Sequence, residues 1–422
     1  MNPGLICIIG LVVFSVIGIP IFFSLGIATM ISLLYVGLPL EVLPQKMFVG
    51  LDSVALLAIP FFVLAGNIMS RTITKKLIAI AQNLIGWVRG SLAIVTIVAS
   101  ALFGAITGSA VATLSAIGGI MIPAMIRENY SKDFAAAVGS TSSILGPLIP
   151  PSITLIVYGS ITETSIAALF KASVVPGVIF TLALVVYVLF YAKRHNLPKQ
   201  ERASAREIGH SLKEGIPALL MPIIILGGIF GGILTPTEAA AVSVIYAFII
   251  STCVYKDMNL KESVFVFGEA AVATASMVIL VATSKSTSYV IVTSQLPQMI
   301  LNTFTSITSN PTVMLMLINV LFLIIGMIME SNAAIVMMTP LLMPLIKTFG
   351  IDPIHFGMIM SFNLLIGLLT PPVGVSILLG NTIAEARLSQ TIKTCLPMMG
   401  IAFALLLLIT YIPALTTWLP SL

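Results

Sequence analysis

Long runs of hydrophobic residues, separated by short polar turns, extend along the whole chain. A helix needs about 20 apolar residues to cross the hydrocarbon core of a membrane. The run at residues 5–38 is too long for one crossing and long enough for two short ones, and Gly18 and Pro20 mark the predicted break between them. The pattern therefore predicts an all-α, polytopic membrane protein.

Glycine and proline residues interrupt these runs at matching places in the two halves of the chain. Five glycine or proline landmarks of the first half each recur 221 positions later (344 − 123, and likewise 397 − 176), so these landmarks align without a gap. Helix breakers at corresponding positions indicate discontinuous helices in a transporter with two repeats, and they indicate where its binding site lies. The matched pairs are Pro123 and Pro344, Gly146 and Gly367, Pro150 and Pro371, Gly159 and Gly380, and Pro176 and Pro397.

Each half is predicted to contain three scaffold spans, an arm along the membrane surface, a re-entrant hairpin, a broken span and a final span. Five full crossings per repeat is an odd number, so the second repeat must be inverted relative to the first. In the first repeat, residues 1–192, the segments are 1–70, 71–90, 91–126, 134–160 and 174–192. After a cytoplasmic linker at 193–214, the second repeat, residues 215–422, has them at 216–283, 284–311, 312–346, 356–383 and 397–418.

Composition and charge placement agree with this organisation. Hydrophobic residues make up 58% of the chain and charged residues 8%, whereas soluble domains carry about 25% charged residues. If the arm at 71–90 is cytoplasmic, 16 of the 20 Lys and Arg residues lie on that side, as the positive-inside rule requires, and both termini are periplasmic. The net charge of +5 therefore reports topology in a lipid bilayer and indicates no nucleic-acid partner.

The hairpin tips and the helix breaks carry the groups that a dehydrated ion needs. Unwound carbonyls and Ser, Thr or Asn side chains can replace the water shell of Na⁺, and half-helix N-termini present a positive dipole end to a carboxylate. Small hydroxyl residues also permit close helix packing in lipid, so the argument depends on two sets in equivalent register. The candidate Na⁺ ligands are Ser109, Thr113, Ser142, Ser143, Gly146, Pro147, Ser331, Asn332, Asn363, Gly367 and Thr370, and the candidate substrate contacts are Gly108, Ser109, Pro150, Glu330, Asn332 and Pro371.

Charged residues within the apolar segments are a second signal, because an ionisable side chain at membrane depth is costly and usually functional. Glu330 adjoins the second hairpin tip and could face the transport cavity as an ion or proton ligand, or it could cap the helix that follows. Lys285 could neutralise an anionic substrate, although the favoured interpretation is that its long side chain reaches the periplasmic interface. Asp52 and Glu269 lie near span ends and are interpreted as interfacial.

Six motifs in order resemble the large membrane subunit of a tripartite ATP-independent periplasmic (TRAP) transporter, and the resemblance covers nearly the whole chain. They are Gly108-Ser109-Ala110, Ile122-Pro123-Ala124-Met125, Gly146-Pro147-Leu148-Ile149-Pro150-Pro151-Ser152, Leu234-Thr235-Pro236-Thr237-Glu238-Ala239-Ala240, Gly326-Met327-Ile328-Met329-Glu330 and Leu369-Thr370-Pro371-Pro372-Val373-Gly374.

This resemblance implies Na⁺-driven uptake of small organic acids across the bacterial inner membrane, commonly C4-dicarboxylates, sialic acid or other sugar acids. It implies an elevator movement of the hairpins and broken helices against a static scaffold, with Na⁺ as the coupling ion bound at the tips and breaks. It also implies two partners, a four-helix small membrane subunit and a soluble periplasmic binding protein. Glu330 stands where the family is expected to have Asp more often, and Lys285 where an uncharged polar residue is expected.

Other functions remain as alternatives. A stand-alone Na⁺/dicarboxylate symporter of similar architecture would need no binding protein, and the six motifs argue against it. An intramembrane enzyme would need a nucleophile with a base, or a pair of Asp residues at depth, and the sparse acidic residues give no such pairing. A purely anchoring protein would leave the two matched sets of helix breakers unexplained. The sequence also lacks a P-loop for ATP hydrolysis, and its Cys and His residues show no metal-ligand spacing.

Overall fold

The computed structural model describes residues 2–199 and 201–422, and these residues form helices joined by turns without any strand. Eight helices of the described ranges are long and apolar enough to cross a membrane, which confirms an all-α polytopic fold. The helices before residue 200 are Pro3–Val16, Ile21–Val36, Val42–Leu51, Ala58–Thr72, Thr74–Ile85, Ser91–Thr107, Ala110–Thr113, Gly119–Arg127, Lys132–Ser143, Leu145–Leu148, Ile153–Thr162 and Ile166–Arg194, with a 3-10 turn at Val54–Leu57 and a π turn at Leu114–Gly118.

The second half repeats this order with fewer interruptions in its scaffold. Its helices are Ala205–Phe230, Pro236–Ile249, Leu260–Thr293, Leu296–Ile307, Pro311–Gly326, Ser331–Thr348, Pro353–Gly367, Val375–Ala384, Leu388–Tyr411 and Ala414–Thr417, with a π turn at Ile250–Val254.

The helix boundaries keep the offset of 221 residues in the hairpins and broken helices. The second arm of each hairpin begins at Ala110 and at Ser331, and each broken helix begins at Lys132 and at Pro353 (331 − 110 and 353 − 132). The Pro150-Pro151 and Pro371-Pro372 peptide bonds are both cis. The chain is thus built from two copies of one helix order, and the inverted orientation of the second copy stays a prediction.

Local capping explains where several helices begin. Thr235 accepts a hydrogen bond from the backbone N–H of Glu238, and the Glu238 carboxylate accepts one from the N–H of Thr235, with Pro236 at the first helical position. Asn259 and Glu262 form the same reciprocal pair at the start of Leu260–Thr293. Such capping boxes satisfy backbone donors that would otherwise lack partners at a helix start.

Several helices begin, end or are interrupted at residues other than the predicted segment bounds. The linker at 193–214 is helical from Ala205 onward, and the arm at 284–311 begins only at Leu296, because the scaffold helix continues to Thr293. The final spans start early, at Ile166 and Leu388, and enclose Pro176 and Pro397. In the opposite sense, the third scaffold span of segment 1–70 is interrupted at Asp52 and Ser53.

The broken helices form the centre of the molecule. In the most apolar 18-residue stretch of Lys132–Thr162, 83% of the residues are buried. In the corresponding stretch of the scaffold helix Lys261–Thr293, only 22% are buried. The second broken helix is buried along its entire length from His355 to Gly367. Scaffold helices therefore expose apolar surface to lipid, while the broken helices are enclosed by the hairpins and the final helices.

Candidate functional site

The first hairpin turns at Gly108, which adopts a left-handed conformation with φ of 62° and ends helix Ser91–Thr107. A Cβ atom at this position would lie 2.7 Å from the carbonyl oxygen of Pro151, so the tip sits directly against the break of the first broken helix. Ser109 follows as the N-cap and accepts a hydrogen bond from the N–H of Ala112 at 3.4 Å. Only glycine combines this backbone conformation with this close approach.

An oxygen-rich cluster lies behind the first tip. The Thr113 hydroxyl donates to the carbonyl oxygen of Ser109 at 2.8 Å and lies 3.4 Å from the Thr107 hydroxyl. Gly146 packs onto both groups, since a Cβ there would lie 2.6 Å from Thr113 Oγ1 and 2.7 Å from the Ser109 oxygen. Gly104 packs in turn on the Gly146 backbone. The structure thus brings together three of the predicted Na⁺ ligands, Ser109, Thr113 and Gly146.

Ser142 and Ser143 are fully buried but bond to their own helix. The Ser142 hydroxyl donates to the Val138 carbonyl at 2.6 Å, and the Ser143 hydroxyl donates to the Ser140 carbonyl at 2.7 Å. Ser143 also lies 3.3 Å from the hydroxyl of Ser376 on the second broken helix. Their assignment as Na⁺ ligands stays a prediction.

Glu330 caps the second hairpin tip. Its carboxylate accepts hydrogen bonds from the N–H groups of Asn332 at 2.9 Å and Ala333 at 3.1 Å, and the Asn332 side-chain amide donates to it at 2.8 Å. This is the capping geometry that the sequence offered as one of two interpretations. Glu330 also lines the cavity described below, so capping and contact with the cavity occur together.

The second tip has its own polar cluster, which mirrors the first. The Ser331 hydroxyl donates to the Leu364 carbonyl at 3.4 Å, and Gly326 packs backbone to backbone on Gly367, as Gly104 does on Gly146. The Thr370 hydroxyl donates to the Ile366 carbonyl at 2.9 Å within its own segment.

Asn363 stands at the centre of a buried amide network. Its amide donates to the Asn319 carbonyl at 3.0 Å and to the Asn319 side-chain oxygen at 2.9 Å, and Asn319 donates to the Thr410 hydroxyl at 2.9 Å. The side-chain oxygens of Asn363 and Asn332 are buried without a hydrogen-bond partner among the described residues. Such an oxygen is available to a further donor or to a cation. Asn319 and Thr410 were absent from the sequence prediction, although polar residues in apolar spans were the signal that could have found them.

Both tips open onto one cavity of about 370 Å³. Its lining joins the tips to the broken helices at Pro147, Ile153, Thr154, Leu365, Leu368 and Val375, and to the scaffold helix Leu260–Thr293 at Ala273, Ser276, Met277 and Leu280. Four of the predicted substrate contacts line the cavity, namely Gly108, Ser109, Glu330 and Asn332.

Two predicted substrate contacts, Pro150 and Pro371, do not line this cavity. Pro150 is buried, and Pro371 borders a separate crevice with Leu388 and Ile392. The prolines break the helices, and the residues just beyond the breaks are the ones that reach the cavity. Sequence reasoning also missed the scaffold face at Ser276 and Met277, which carries no charged group or helix breaker that would distinguish it.

Lys285 lies outside the cavity. Its stem contacts Gly50 on the neighbouring scaffold helix, and its side chain is partly buried, one and a half turns beyond Leu280. That its side chain reaches the periplasmic interface stays a prediction. Glu269 is ion-paired with Arg71 at 2.7 Å, with about half of each side chain exposed, and Asp52 is exposed at the interruption of the third span.

Comparison with known proteins gives one consistent result. The family described as "Tripartite ATP-independent periplasmic transporter, DctM component" matches residues 8–415. The chain is 42% identical to the uncharacterized protein YgiK of Salmonella typhimurium, over 96% of this chain and 94% of that one. It is 39% identical to the sialic acid TRAP transporter large permease SiaM of Vibrio cholerae (96% and 95% covered) and 37% identical to the C4-dicarboxylate TRAP transporter large permease DctM of the same organism (99% and 96% covered).

A solved structure shares the fold at low sequence identity. The Alcanivorax borkumensis YdaH transporter superposes with a TM-score of 0.65 at 12% identity, over 97% of this chain and 98% of that one. At this identity the likeness concerns the fold alone.

Proposed function

The chain belongs to the DctM family, the large permease component of tripartite ATP-independent periplasmic transporters, and on that premise we propose that it carries a small organic acid into the cell in symport with Na⁺. It is a permease component of the membrane and not an enzyme. Its relatives are named for C4-dicarboxylates and for sialic acid, and we extend the shared class, a small carboxylate, to this chain.

The cavity shared by both hairpin tips is the observation that carries this proposal. Two half-helix tips, two helix breaks and one scaffold helix meet there, which is the arrangement that transporters use to bind substrate near the middle of the membrane. Because irregular backbone at membrane depth is stable only around a covered or wet cavity, the breaks and the cavity support one another as features of a binding site.

Na⁺ has suitable ligands behind each tip. In the first repeat these are the Ser109 carbonyl and the Thr113 hydroxyl. In the second they are the side-chain oxygens of Asn363 and Asn332, which accept no hydrogen bond from the residues that the structure describes. A Na⁺ ion held in either cluster would link the hairpin to the broken helix on which it packs. Occupation by the ion would therefore favour a closed tip, and this coupling is what a symporter requires.

The substrate carboxylate fits best at the start of helix Ile153–Thr162. Ile153 and Thr154 line the cavity there, and the positive end of the helix dipole attracts an anion. The N-terminus of helix Ser331–Thr348, which also faces the cavity, is already occupied by the Glu330 carboxylate. Glu330 therefore repels a second anion at that end of the cavity, and it can offset the charge of a cation bound beside it.

Family membership supports a proposal for the movement and the partners of the chain. We propose that the hairpins and broken helices move together as an elevator against the scaffold, and that the second repeat is inverted with both termini periplasmic. The partners are a small membrane subunit of four helices and a soluble periplasmic binding protein that delivers the acid. The coupling ion is Na⁺, and the membrane is the bacterial inner membrane.

Uptake into proteoliposomes tests this proposal. The chain would be reconstituted with its small subunit, and labelled succinate, N-acetylneuraminate and other organic acids would be offered with and without an inward Na⁺ gradient and the binding protein. We expect uptake of at least one acid only when both are present. Uptake that needs Na⁺ but no binding protein would favour a stand-alone symporter, and uptake that is independent of Na⁺ would contradict the coupling.

A further inference from the structure

A second opening lies on the same scaffold helix as the substrate cavity. It is an open groove of about 880 Å³ between helices Ala58–Thr72 and Leu260–Thr293. We call it the Arg71 groove. Its surface is mostly apolar, with Val264, Phe265 and Val272, and its polar and small lining residues are Asn67, Ser70, Arg71, Gly268, Glu269 and Ala273.

The Arg71 groove and the cavity adjoin along one helix face. Ala273 lines both, and the lining positions 268, 269, 272, 273, 276, 277 and 280 recur every three or four residues, as positions on one helix face do. At 1.5 Å per residue, Glu269 is about 16 Å along the axis from Leu280 at the far end of the cavity. A continuous helix face therefore leads from the cavity to Arg71.

The groove combines an apolar wall with a charged pair that an anion can contact. Arg71 Nη2 lies 2.7 Å from Glu269 Oε2, the two side chains are 41% and 45% exposed, and Asn67 and Ser70 add neutral polar groups. Charged residues in a chain of such low charge content usually line an aqueous path and not a lipid surface. A Cβ at Gly268 would meet no atom within 4 Å, so the groove is open beside the ion pair.

We propose that the Arg71 groove is the path by which the organic acid leaves the cavity toward the cytoplasm, and that Arg71 is a positioning residue on this path. As the acid passes, the guanidinium exchanges its bond with Glu269 for one with the departing carboxylate. A guanidinium can bind a carboxylate with two parallel hydrogen bonds, and the exchange keeps every charge paired. The inference rests on the proposed function, because it assumes an anionic substrate in the cavity.

This role affects the rate constants of association and dissociation of the acid and leaves its dissociation constant unchanged. Arg71 does not line the cavity, and the equilibrium constant depends only on the free and bound states. Removing the guanidinium should therefore slow association and dissociation by the same factor. Removing the Glu269 carboxylate should accelerate both, because Arg71 is then free and no negative charge repels the acid. Charges on an entry path act in this way on association rates.

The experiment measures binding kinetics of the complex of this chain and its small subunit in nanodiscs at saturating Na⁺. The probe is whichever of labelled succinate and N-acetylneuraminate the wild type binds. We expect Arg71→Gln to lower the association and dissociation rate constants about 5-fold and to leave Kd unchanged. Arg71→Lys should keep both rate constants near the wild-type values, and Glu269→Gln should raise both.

A second ion pair on neighbouring elements provides the matched control. Lys76 binds Asp257 at 2.8 Å and lies over the Tyr255 ring, but it does not line the groove. Lys76→Gln should leave both rates at the wild-type values.

Two results would assign the Arg71–Glu269 pair a structural role and overturn the inference. In the first, Arg71→Gln and Glu269→Gln change the rate constants in the same direction. In the second, Lys76→Gln changes them as much as Arg71→Gln does. An altered Kd in Arg71→Gln would place Arg71 in the binding site and overturn it as well. If the folded wild-type complex binds none of the organic acids offered in the uptake experiment, the proposed function itself is wrong and this inference falls with it.

Discussion

Individual oxygen atoms distinguish the two tips more clearly than residue types do. The Thr113 hydroxyl uses its proton on the Ser109 carbonyl, so its lone pairs remain for a cation. The hydroxyls of Ser142 and Ser143 also donate to carbonyls of their own helix, and what distinguishes Thr113 is the close approach of Gly146 from the broken helix. Sequence reasoning could select these residue types and their register, but it could not tell which hydroxyl points toward the neighbouring hairpin.

Thr113→Val tests the first cluster, because it keeps the side-chain shape and removes only the hydroxyl. We expect the Na⁺ concentration for half-maximal uptake to rise about 10-fold, which corresponds to the loss of one oxygen contact to a charged group. Thr96→Val is the control, since Thr96 is buried in the same hairpin and donates only to the Leu92 carbonyl at 2.7 Å. Equal Na⁺ dependence in both variants would contradict the cluster as an ion site.

Glu330→Gln separates capping from transport. The substitution keeps an oxygen that can accept from the N–H groups of Asn332 and Ala333 but removes the negative charge at the helix N-terminus, so we expect the free energy of unfolding to fall by at most about 1 kcal/mol. Asp352→Asn should cost a similar amount, because Asp352 caps Pro353–Gly367 through Ile354 and His355 outside the cavity.

The two cap variants should differ in uptake. Only Glu330→Gln should lose Na⁺-dependent transport, measured in the same proteoliposomes in which thermal unfolding is followed. If both variants transport equally well, Glu330 is a cap and nothing more.

At the scale of helices, close glycine contacts hold each hairpin against its broken helix. Gly104 meets Gly146 in the first repeat, and Gly326 meets Gly367 in the second. Two of the five matched breaker pairs, Gly146 with Gly367 and Pro150 with Pro371, lie at or beside the helix breaks, whereas Pro123, Pro176 and their counterparts lie inside helices. A proline can remain within a membrane helix where neighbouring groups satisfy the freed carbonyl, so sequence spacing alone overstates the number of breaks.

Gly146→Ala tests whether this contact controls the site. The added methyl group would press on Thr113 Oγ1 and the Ser109 carbonyl, and we expect uptake to fall more than 10-fold, with a loss of about 1–3 kcal/mol in stability from overpacking. Gly119→Ala in the same hairpin is the control, because a methyl group there meets nothing within 4 Å and should be neutral or slightly stabilising. Wild-type uptake by Gly146→Ala would show that the close contact is dispensable.

At the scale of the whole molecule, the sequence predicts the order of the hairpins and broken helices, but it does not predict where each helix begins and ends. Apolar runs and a constant offset of 221 residues identified both hairpins and both broken helices, because these features depend on local breakers and length. The arm at 284–311 was placed too early because Ser284, Lys285 and Ser286 appeared too polar for a span. They are tolerated because Ser284 and Ser286 bond to the Val281 and Leu43 carbonyls, and Lys285 packs on Gly50.

The inversion of the repeats is the remaining global prediction, and the two arms provide its test. Helices Thr74–Ile85 and Leu296–Ile307 occupy equivalent places in the two repeats, so inversion puts them on opposite faces of the membrane. Exposed Lys75 and Thr303 would each be replaced by cysteine in a Cys253→Ser background, because Cys7 and Cys395 are buried. A membrane-impermeant maleimide should label Thr303→Cys in intact spheroplasts and Lys75→Cys only after permeabilisation. Labelling of both from outside would mean that the repeats run parallel, and the two tips could then not open alternately to opposite sides of the membrane.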